Sequence, residues 1–461
     1  MSAAQRDRLD PLVWRITTVA VLGSLLAQLD ATIVNVSLSG LAHELHATLP
    51  AIQWVTSGYL LALTLVLPLN GWLVDRIGGR ALYLWCFSSF TLSSLLCGFA
   101  WSADALVGFR LLQGASGGLL APMAQLMMKR AAGNQFTRVA GYATVPILLG
   151  PLLGPVIAGL ILRYASWRWL FFVNLPVGVL ALVLSVLFLP DDREYLQPRE
   201  MDWLGLMLLS PGLAMILFGA ERIRQHTGIV AMVAGVVLFV VFLRVEAGKA
   251  GRALIDLRQF HNRTFTVAAA AQFLSNGVMF AGQMLIPLFL IQACGRSPAA
   301  MGWMLAPLGL GMMVAFPPLG FLTERFGARA VATAGALLSL VATLMLAWLA
   351  TRPLQVATLL TALFLRGAGL GATALPAMSA AYASVEQRNL PMATTTLNIL
   401  QRLGGPTLTT LCALMLAELL AAGLPLVGMN AWGATFLLLA MLHAVMVVTV
   451  MRLPGRMSGR G

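Results

Sequence analysis

The chain has 461 residues, of which 59% are hydrophobic and only 10% are charged. Because water-soluble domains carry about 25% charged residues, this composition excludes a water-soluble globular protein and indicates an integral membrane protein. The net charge of +13 does not indicate nucleic-acid binding, since most basic residues lie in the loops on one side of the predicted membrane helices.

Apolar runs of membrane-spanning length follow one another along the whole chain. Runs of about 20 apolar residues predict helices, whereas the strands of a membrane barrel would alternate over about 10 residues. We count fourteen runs, near 15–41, 52–74, 80–100, 104–128, 137–162, 169–189, 203–220, 228–247, 264–292, 299–322, 329–350, 354–381, 391–420 and 430–451. The sequence therefore predicts an all-α integral membrane protein with fourteen transmembrane helices.

Two charged linkers divide the chain. We assign 1–14 to an N-terminal tail, 15–190 to a six-helix half, 191–263 to linkers with two extra helices, 264–452 to a second six-helix half, and 453–461 to a C-terminal tail. With the N-terminus inside, the cytoplasmic segments hold 21 of the 30 Lys and Arg residues, the outer loops hold 6, and the apolar runs hold 3. The positive-inside rule therefore places both tails in the cytoplasm.

A ten-residue motif between two apolar runs occurs twice. The segment Gly71–Arg80 returns 249 residues later in looser form as Gly320–Arg329. The repeat predicts two related halves with a binding site between them near the bilayer midplane, and each copy predicts a tight cytoplasmic hairpin. A carboxylate at a helix C-terminus opposes the helix dipole and needs a partner, so we expect this hairpin to act as a latch between conformational states. Its candidate residues are Gly71, Asp75, Arg76, Gly78, Arg80, Glu324 and Arg325.

Several further motifs point to a known family. They are Leu29–Val36, Arg110–Gly114, Gly150–Pro155, Ser166–Pro176, Ile255–Phe265 and, more loosely, Gln401–Gly405. Together with the hairpin they resemble the major facilitator superfamily, and within it the fourteen-helix drug:proton antiporters of the EmrB/QacA type, such as the MdtD-like multidrug resistance proteins. The resemblance implies the MFS transporter fold, with two six-helix halves plus two extra central helices, and drug export by alternating access. The family usually has a longer loop before its last helix, which is short here.

Asp30 is the only one of the 17 acidic residues that lies well inside an apolar run. A charge there is costly unless it is paired or protonated. Asp30 lies 15 residues beyond Arg15, about 22 Å along a helix, and Arg110 reaches a similar depth from the other side, so we predict that the two pair or share a hydrogen-bond network. Burial favours the protonated acid and Arg110 favours the carboxylate, and a proton carrier needs such a balance. The alternative is that Asp30 only ties spans one and four together.

Two polar stripes are candidates for the wall of a substrate cavity. The stripe of span one, Gln28, Thr32 and Asn35, lies about 150° around the helix from Asp30, so both cannot face one cavity. The stripe of span nine consists of Gln272, Asn276 and Gln283, with Met279 on the same face, and we predict that it lines the cavity. Further candidate contacts are Gln113, Asn398, Gln401 and Arg402. The alternative is that these amides join helices by hydrogen bonds.

Span five carries the small and kinking residues Gly150, Pro151, Gly154 and Pro155. Small residues allow close helix approach and proline bends a helix. The residues themselves indicate a kinked packing helix, and the family resemblance implies an antiporter motif that favours export.

Arg366 and Arg402 lie near the middle of spans twelve and thirteen without an obvious acid opposite them. They either bind backbone carbonyls and amides or contact an anionic substrate. No nucleophile elbow, phosphate loop or metal motif occurs, and the four cysteines are expected to be packing residues. We therefore predict no enzymatic activity, no catalytic or metal site and no cofactor.

The leading hypothesis is proton-coupled efflux of amphipathic compounds from a bacterial inner membrane. The predicted partners are membrane lipid, protons and small amphipathic substrates, without nucleic acid, and the protein is expected to be a monomer. The alternatives are export of a specific metabolite, for which an anion is one candidate, and a non-transporting membrane receptor or scaffold.

Overall fold

The computed structural model describes residues 10–192, 194, 196–198, 200–223, 225–249, 253–422 and 430–455, and these residues form helices and connecting turns without a β-strand. The helices are α1 (Pro11–Ile33), α2 (Leu38–Glu44), α3 (Leu49–Val66), α4 (Leu69–Ile77), α5 (Gly79–Gly98), α6 (Ala103–Ala132), α7 (Phe136–Tyr164), α8 (Trp169–Phe172), α9 (Asn174–Phe188), α10 (Trp203–Glu221), α11 (His226–Ala247), α12 (Arg263–Leu288), α13 (Pro298–Ala315), α14 (Leu319–Phe326), α15 (Ala328–Leu349), α16 (Val356–Ala383), α17 (Leu390–Ala422) and α18 (Ala431–Val450). The predicted all-α class is confirmed.

Ten of the described helices are long and apolar enough to cross a membrane, or twelve if each of two bent helix pairs is one span. The remaining two predicted spans correspond to α6 and α7, which are 30 and 29 residues long. Polar residues and glycines lower the hydropathy of α6. The count of fourteen transmembrane helices stays a prediction.

The two bends fall in spans that the apolar pattern predicts as continuous. The axes of α3 and α4 differ by 58°, and those of α13 and α14 differ by 54°. Pro68 lies in the first break and Pro317 and Pro318 lie in the second. Proline removes a backbone donor and clashes with the preceding turn, which accounts for both bends.

Both hairpins end their short helix in the same way. Gly78 follows α4 with φ 86° and ψ 153°, and Gly327 follows α14 with φ 85° and ψ 156°. The next helix begins at the next residue in both cases. Only glycine adopts this backbone region without strain, so the glycine of the repeated motif is what permits the tight turn.

The chain separates into two compact units. The first comprises Met1–Phe218, Val233–Asp256 and Gln387–Thr396, and the second comprises Gly219–Met232, Leu257–Glu386 and Leu397–Gly461. The first turns of α17 therefore pack with the first unit and the rest with the second. The sequence-based boundaries, which follow chain order alone, do not anticipate this division of one helix.

The two units use the same set of helix pairs. In the first, α1 packs against α6 and α9, α5 packs against α6 and α9, and α3 packs against α6. In the second, α12 packs against α16 and α18, α15 packs against α16 and α18, and α13 packs against α16. Helices α1, α3, α5, α6 and α9 thus correspond to α12, α13, α15, α16 and α18, which supports the internal repeat.

Candidate functional site

The candidate site is a buried ion pair in the first unit. Asp30 lies one turn before the end of α1, Arg110 lies in the first half of α6, and both side chains have no exposed surface. The Nη1 atom of Arg110 lies 2.6 Å from Oδ2 of Asp30. The predicted pairing, which rests on equal depth along two helices, is confirmed.

Arg110 is held on three further sides. Its Nε donates to the carbonyl oxygen of Val55 at 3.1 Å, and Nη1 also donates to Oε1 of Gln113 at 2.7 Å. The guanidinium carbon lies 4.1 Å from the centre of the Tyr59 ring. A planar cation over an aromatic face is attracted to it, more strongly where water is excluded. These contacts fix the arginine against α3.

Two amides and a hydroxyl complete the environment of the carboxylate. Oδ1 of Asp30 accepts from Nε2 of Gln113 at 3.0 Å and from Nδ2 of Asn174 at 2.9 Å. The same two nitrogens donate to Oγ of Ser94, at 2.7 and 3.0 Å. Residues from α1, α5, α6 and α9 therefore form one hydrogen-bond network around a single negative charge.

Glycines of α6 allow this network to form. A β-carbon on Gly114 would clash with the backbone oxygen of Tyr59, and one on Gly118 would lie 2.5 Å from that of Leu63. The backbones of α3 and α6 consequently approach closely, and Arg110, one turn before Gly114, reaches the carbonyl of Val55. The motif Arg110–Gly114 thus contains both the charged side chain and the glycine that lets this side chain reach α3.

The arrangement leaves one group able to change charge. Neutralising one partner of a buried ion pair leaves the other charge uncompensated, which is strongly unfavourable. Arginine cannot be deprotonated in proteins, whereas a carboxylate can gain a proton and become a hydrogen-bond donor. Protonation of Asp30 would turn a neutral cluster into one with the net positive charge of Arg110.

The span-one stripe lies against α7 rather than in this network. A β-carbon on Gly150 would lie 3.1 Å from Cβ of Gln28, and one on Gly154 would meet the hydroxyl of Thr32. Thr32 also donates to the backbone oxygen of Gln28 at 3.0 Å. The small residues of span five thus pack on α1, as the packing interpretation predicts. The side chains of Asn35, Pro151 and Pro155 lie outside the described residues.

In the second unit, two predicted cavity residues join helices. Nε2 of Gln272 on α12 donates to the carbonyl oxygen of Ala374 on α16 at 2.6 Å, and Nε2 of Gln401 on α17 donates to Oε1 of Gln272 at 2.6 Å. This is the alternative that the sequence left open for these amides. The other candidates differ in burial, with Asn398 buried, Asn276 and Arg402 half-buried, and Gln283 exposed.

The first hairpin is anchored within its unit. Asp75 is buried, and its backbone oxygen accepts from the amide of Gln197 at 2.9 Å. The guanidinium of Arg76 lies over the Trp72 ring, and Arg80 donates to the carbonyl oxygen of Val186 at 3.0 Å. In the second hairpin, Glu324 and Arg325 are exposed.

Two contacts join this hairpin to the first turns of α17. Nδ2 of Asn70 donates to Oγ1 of Thr395 at 3.2 Å. A β-carbon on Gly71 would lie 3.3 Å from Cα of Met392. Gly71 therefore permits a close approach that a larger residue would hinder.

The sequence did not single out Ser94, Asn174 and Asp192. Asp192 lies after α9 and accepts from the backbone amides of Gly79 at 2.6 Å and Arg80 at 3.3 Å, and from Arg130 at 3.0 Å. A carboxylate at a helix N-terminus compensates the helix dipole. Two signals were available in the sequence. Asp192 lies in the charged segment that follows the apolar run 169–189, and Asn174 lies inside the family motif Ser166–Pro176.

A polytopic helical membrane protein built from two related units, with a buried ion pair in one of them, has the architecture of a secondary transporter. The sequence profile of the Major Facilitator Superfamily matches residues 20–295 and 267–459. The chain therefore belongs to the major facilitator superfamily.

Two named relatives are similar over most of the chain. The "Multidrug resistance protein B homolog" of Mycobacterium tuberculosis (strain ATCC 25618 / H37Rv) is 33% identical over 418 residues, which cover 89% of this chain and 77% of the relative. MdtD of Escherichia coli O157:H7 (strain EC4115 / EHEC), which its name places among multidrug resistance proteins, is 33% identical over 347 residues, covering 73% of this chain and 72% of MdtD.

Solved structures share the fold. The human organic anion transporter MFSD10 (TETRAN) gives a TM-score of 0.66 at 19% identity and covers 96% of this chain and 100% of its own. The proton:xylose symporter XylE, bound to 6-bromo-6-deoxy-D-glucose, gives a TM-score of 0.64 at 14% identity, and the match covers 95% of this chain and 94% of XylE. At these identities the likeness establishes the MFS transporter fold, and the protein is a multi-pass membrane transporter of this superfamily.

Proposed function

We propose that the protein exports amphipathic, drug-like compounds in exchange for protons, by alternating access across a bacterial inner membrane. The observation that carries this proposal is the contact between Asp30 and Arg110 at 2.6 Å, buried among four helices of a transporter. Two relatives at 33% identity whose names refer to multidrug resistance support the substrate class.

In this mechanism Asp30 is the proton carrier. While ionised, it neutralises Arg110 and accepts hydrogen bonds from Gln113 and Asn174. When protonated, it no longer balances the arginine, and the network must rearrange because an uncompensated charge inside the membrane is unfavourable. Proton and substrate would thus favour different conformations of the same protein, and their binding would be coupled.

The repeated hairpin is proposed to latch the cytoplasmic side, with both tails in the cytoplasm. Asp75 is buried at the C-terminal end of α4, where it opposes the helix dipole. Replacing Asp75 with Asn should slow turnover and leave substrate affinity nearly unchanged. A large loss of affinity in the purified variant would contradict this division of roles.

Everted membrane vesicles provide the test of proton-coupled export. Energised vesicles that contain the protein should accumulate ethidium, a lipophilic cation, and a protonophore should abolish the accumulation. The Asp30→Asn variant should insert normally, but its transport rate should fall at least about tenfold. A tenfold loss corresponds to an increase of about 1.4 kcal/mol in the activation free energy. Asp104→Asn, which removes an exposed carboxylate in the first turn of α6, is the control. Unchanged protonophore-sensitive transport in Asp30→Asn would overturn the assignment.

A second candidate is export of an anionic metabolite. It is favoured by Arg366, which is buried in the second unit and donates hydrogen bonds to two neutral groups, Oγ1 of Thr343 and the carbonyl oxygen of Val278. Energised accumulation of an organic anion in place of ethidium would select this alternative.

A further inference from the structure

The two extra helices meet at a pair of carboxyl groups for which drug export has no role. Asp202 directly precedes α10, and Glu246 lies one residue before the end of α11. The side chain of Glu246 has no exposed surface, and that of Asp202 is 7% exposed. Glu246 is therefore a second buried acid in the first unit, separate from the network around Asp30.

The two carboxyl groups lie side by side around one ammonium group. Nζ of Lys249 lies 2.6 and 2.7 Å from the two oxygens of Asp202 and 3.3 Å from Oε1 of Glu246. A β-carbon on Gly205 would lie 2.5 Å from Oδ2 of Asp202 and 2.7 Å from Oε1 of Glu246. The two acids thus approach the same point in the first turn of α10.

The charges of this cluster balance only when it holds one proton. Two ionised carboxyl groups and one ammonium would leave a net negative charge at a fully buried side chain, and two carboxylates that share a site do not both ionise readily. Asp202 accepts from Lys249 and from the amide of Gly205 at 2.8 Å, which favours its ionised form. Glu246 is then the protonated partner and donates to Asp202, and the three side chains together are neutral.

The segment that follows α11 covers Glu246. Residues 253–255 are buried, and the amide of Ile255 lies 3.5 Å from Oε2 of Glu246. The amide of the next residue, Asp256, donates to Sδ of Met392 in the first turn of α17 at 2.9 Å. The segment 253–256 therefore lies between the buried acid and α17.

Met392 is also the residue that approaches the repeated hairpin at Gly71. A series of contacts thus runs from Glu246 through residues 255 and 256 to the first turn of α17 and then to the hairpin. All of these residues belong to the first compact unit. A change at Glu246 can therefore reach the hairpin through neighbouring groups of one unit.

We propose that Glu246, Asp202 and Lys249 form a pH-sensitive switch, which holds residues 253–256 against α17 while Glu246 is protonated and releases them when Glu246 ionises. Ionisation places two carboxylates next to one ammonium and leaves a buried negative charge uncompensated, which is unfavourable. Movement of the segment 253–256 admits water to the carboxylate and breaks the contact between Asp256 and Met392. Rising pH on this side of the membrane thus loosens α17 from the hairpin.

Few charged groups surround Glu246. Asp202 and Lys249 act on it directly. On its own helix Arg244 is exposed, and Asp256 is half-buried at the end of the covering segment. Among the described residues around Glu246, the pair with Asp202 and Lys249 therefore dominates its ionisation.

Hydrogen–deuterium exchange of the purified protein in detergent tests the switch without a proton gradient or a substrate, so its outcome is independent of drug export. Glu246→Gln keeps the shape and the donor of the protonated acid and should hold the segment closed at every pH. The ratio of the wild-type exchange rate of residues 253–256 to that of Glu246→Gln should rise at least about tenfold between about pH 6 and pH 8, since release of one proton permits up to about tenfold for each pH unit. An unchanged ratio overturns the proposal.

Two further variants identify the group that titrates. Glu418→Gln, which removes an exposed carboxyl group on α17, should exchange like the wild-type protein at both pH values. In Asp202→Asn the like charge is gone, so Glu246 can ionise and pair with Lys249 while the segment stays closed, and the pH dependence should disappear. A pH dependence that persists in Asp202→Asn, or that is lost in Glu418→Gln, overturns the proposal.

The connection to α17 is tested at Met392. In the wild-type protein, exchange of residues 390–396 should rise with pH together with that of residues 253–256. Met392→Leu keeps an apolar side chain but removes the sulfur that accepts from the amide of Asp256. In this variant the segment 253–256 should keep its pH dependence, whereas residues 390–396 should lose theirs. An equal pH dependence of residues 390–396 in Met392→Leu and the wild-type protein overturns the link to α17.

Discussion

Asn174 donates a hydrogen bond of 2.9 Å to Oδ1 of Asp30, the carboxylate oxygen opposite the one that contacts Arg110. The carboxylate is therefore held from two sides by different helices. Because the amide comes from α9, any movement of α9 relative to α1 changes the stabilisation of the negative charge at Asp30. The salt bridge alone would not link Asp30 to α9.

The first prediction concerns this amide. Asn174→Leu keeps the branched shape of the side chain but removes one charge-assisted hydrogen bond, which is worth about 1.5–3 kcal/mol. We expect protonophore-sensitive ethidium transport to fall about tenfold, with normal insertion. Ser185→Ala is the matched control, because Ser185 is buried on the same helix and donates to the carbonyl of Ala181 within that helix. Equal losses in the two variants would show that α9 merely needs to be intact.

The sequence predicted the ion pair of this site but not all of the uncharged residues that surround it. Asp30 and Arg110 could be paired in advance because both are charged and their depth follows from helix rise. Ser94 and Asn174 carry no charge and occur in apolar runs that hold other Ser and Asn residues, so position along the chain does not show which of them face the pair. That information arises from helix rotation and packing.

The same limit applies to the bent spans. Pro68 and Pro317 lie where helices break, yet Pro122, Pro376 and Pro406 lie inside helices that continue through them. Neighbouring helices can supply partners for the freed backbone groups of a proline, and this depends on packing that the sequence does not show. The repeated glycine was more informative, since Gly78 and Gly327 both proved to have positive φ.

A second prediction uses two glycines with positive φ in the first unit. Gly78 has φ 86° and Gly133 has φ 52°, so alanine is strained at both. A β-carbon at Gly78 would also lie 2.9 Å from Oδ1 of Asp192, whereas one at Gly133 would meet nothing within 4 Å. We expect Gly78→Ala to cost about 1–3 kcal/mol and to lower Tm more than Gly133→Ala. A larger decrease of Tm in Gly133→Ala would show that the contact with Asp192 does not add to the destabilisation.

A third prediction concerns the charged cluster of Asp202, Glu246 and Lys249, which lies at the start of α10 and the end of α11. Nζ of Lys249 lies 2.6 Å from Oδ1 of Asp202, which also accepts from the amide of Gly205 at 2.8 Å. Burial alone would raise the pKa of Asp202, but hydrogen bonds from Glu246, Lys249 and the Gly205 amide outweigh it and hold that pKa below its usual value. Burial alone would lower the pKa of Lys249, but its hydrogen bonds to Asp202 and Glu246 raise it.

The signs of these shifts define a pH range. A depressed acid pKa gives stability that is complete above the unfolded value, about 3.9, and is lost as pH falls through the folded pKa. A raised lysine pKa gives stability that is complete below about 10.4 and is lost as pH rises through the folded pKa. Asp202→Asn should therefore lower Tm by about 1–3 °C at pH 5, which lies above the first limit and below the second.

The control for this cluster is Asp104→Asn, which removes an exposed carboxylate and should leave Tm nearly unchanged at the same pH. Lys249→Met should reproduce the effect of Asp202→Asn, because each variant removes one member of the same pair. An unchanged Tm in Asp202→Asn at pH 5 would show that this pair does not stabilise the region.

A fourth prediction tests whether close helix packing sets the position of Arg110. A β-carbon on Gly114 would clash with the backbone oxygen of Tyr59, which cannot move without displacing α3. Displacement of α3 would lengthen the bond between Arg110 and the carbonyl of Val55, which is 3.1 Å, and would move the Tyr59 ring from the guanidinium. Gly114→Ala should therefore reduce the transport rate at least about tenfold, since a displacement of about 1 Å reduces the rates of enzymes by a similar factor or more.

Gly58 on α3 provides the matched control for the same helix pair. A β-carbon there would lie 3.4 Å from a side-chain atom of Leu111, an ordinary contact with a flexible group. Gly58→Ala should retain most of the transport activity, although it adds the same methyl group to the same interface. If both alanine variants transport ethidium like the wild-type protein, the approach of α3 to α6 does not position Arg110. If both lose activity equally, the interface tolerates no added volume and Gly114 has no special role.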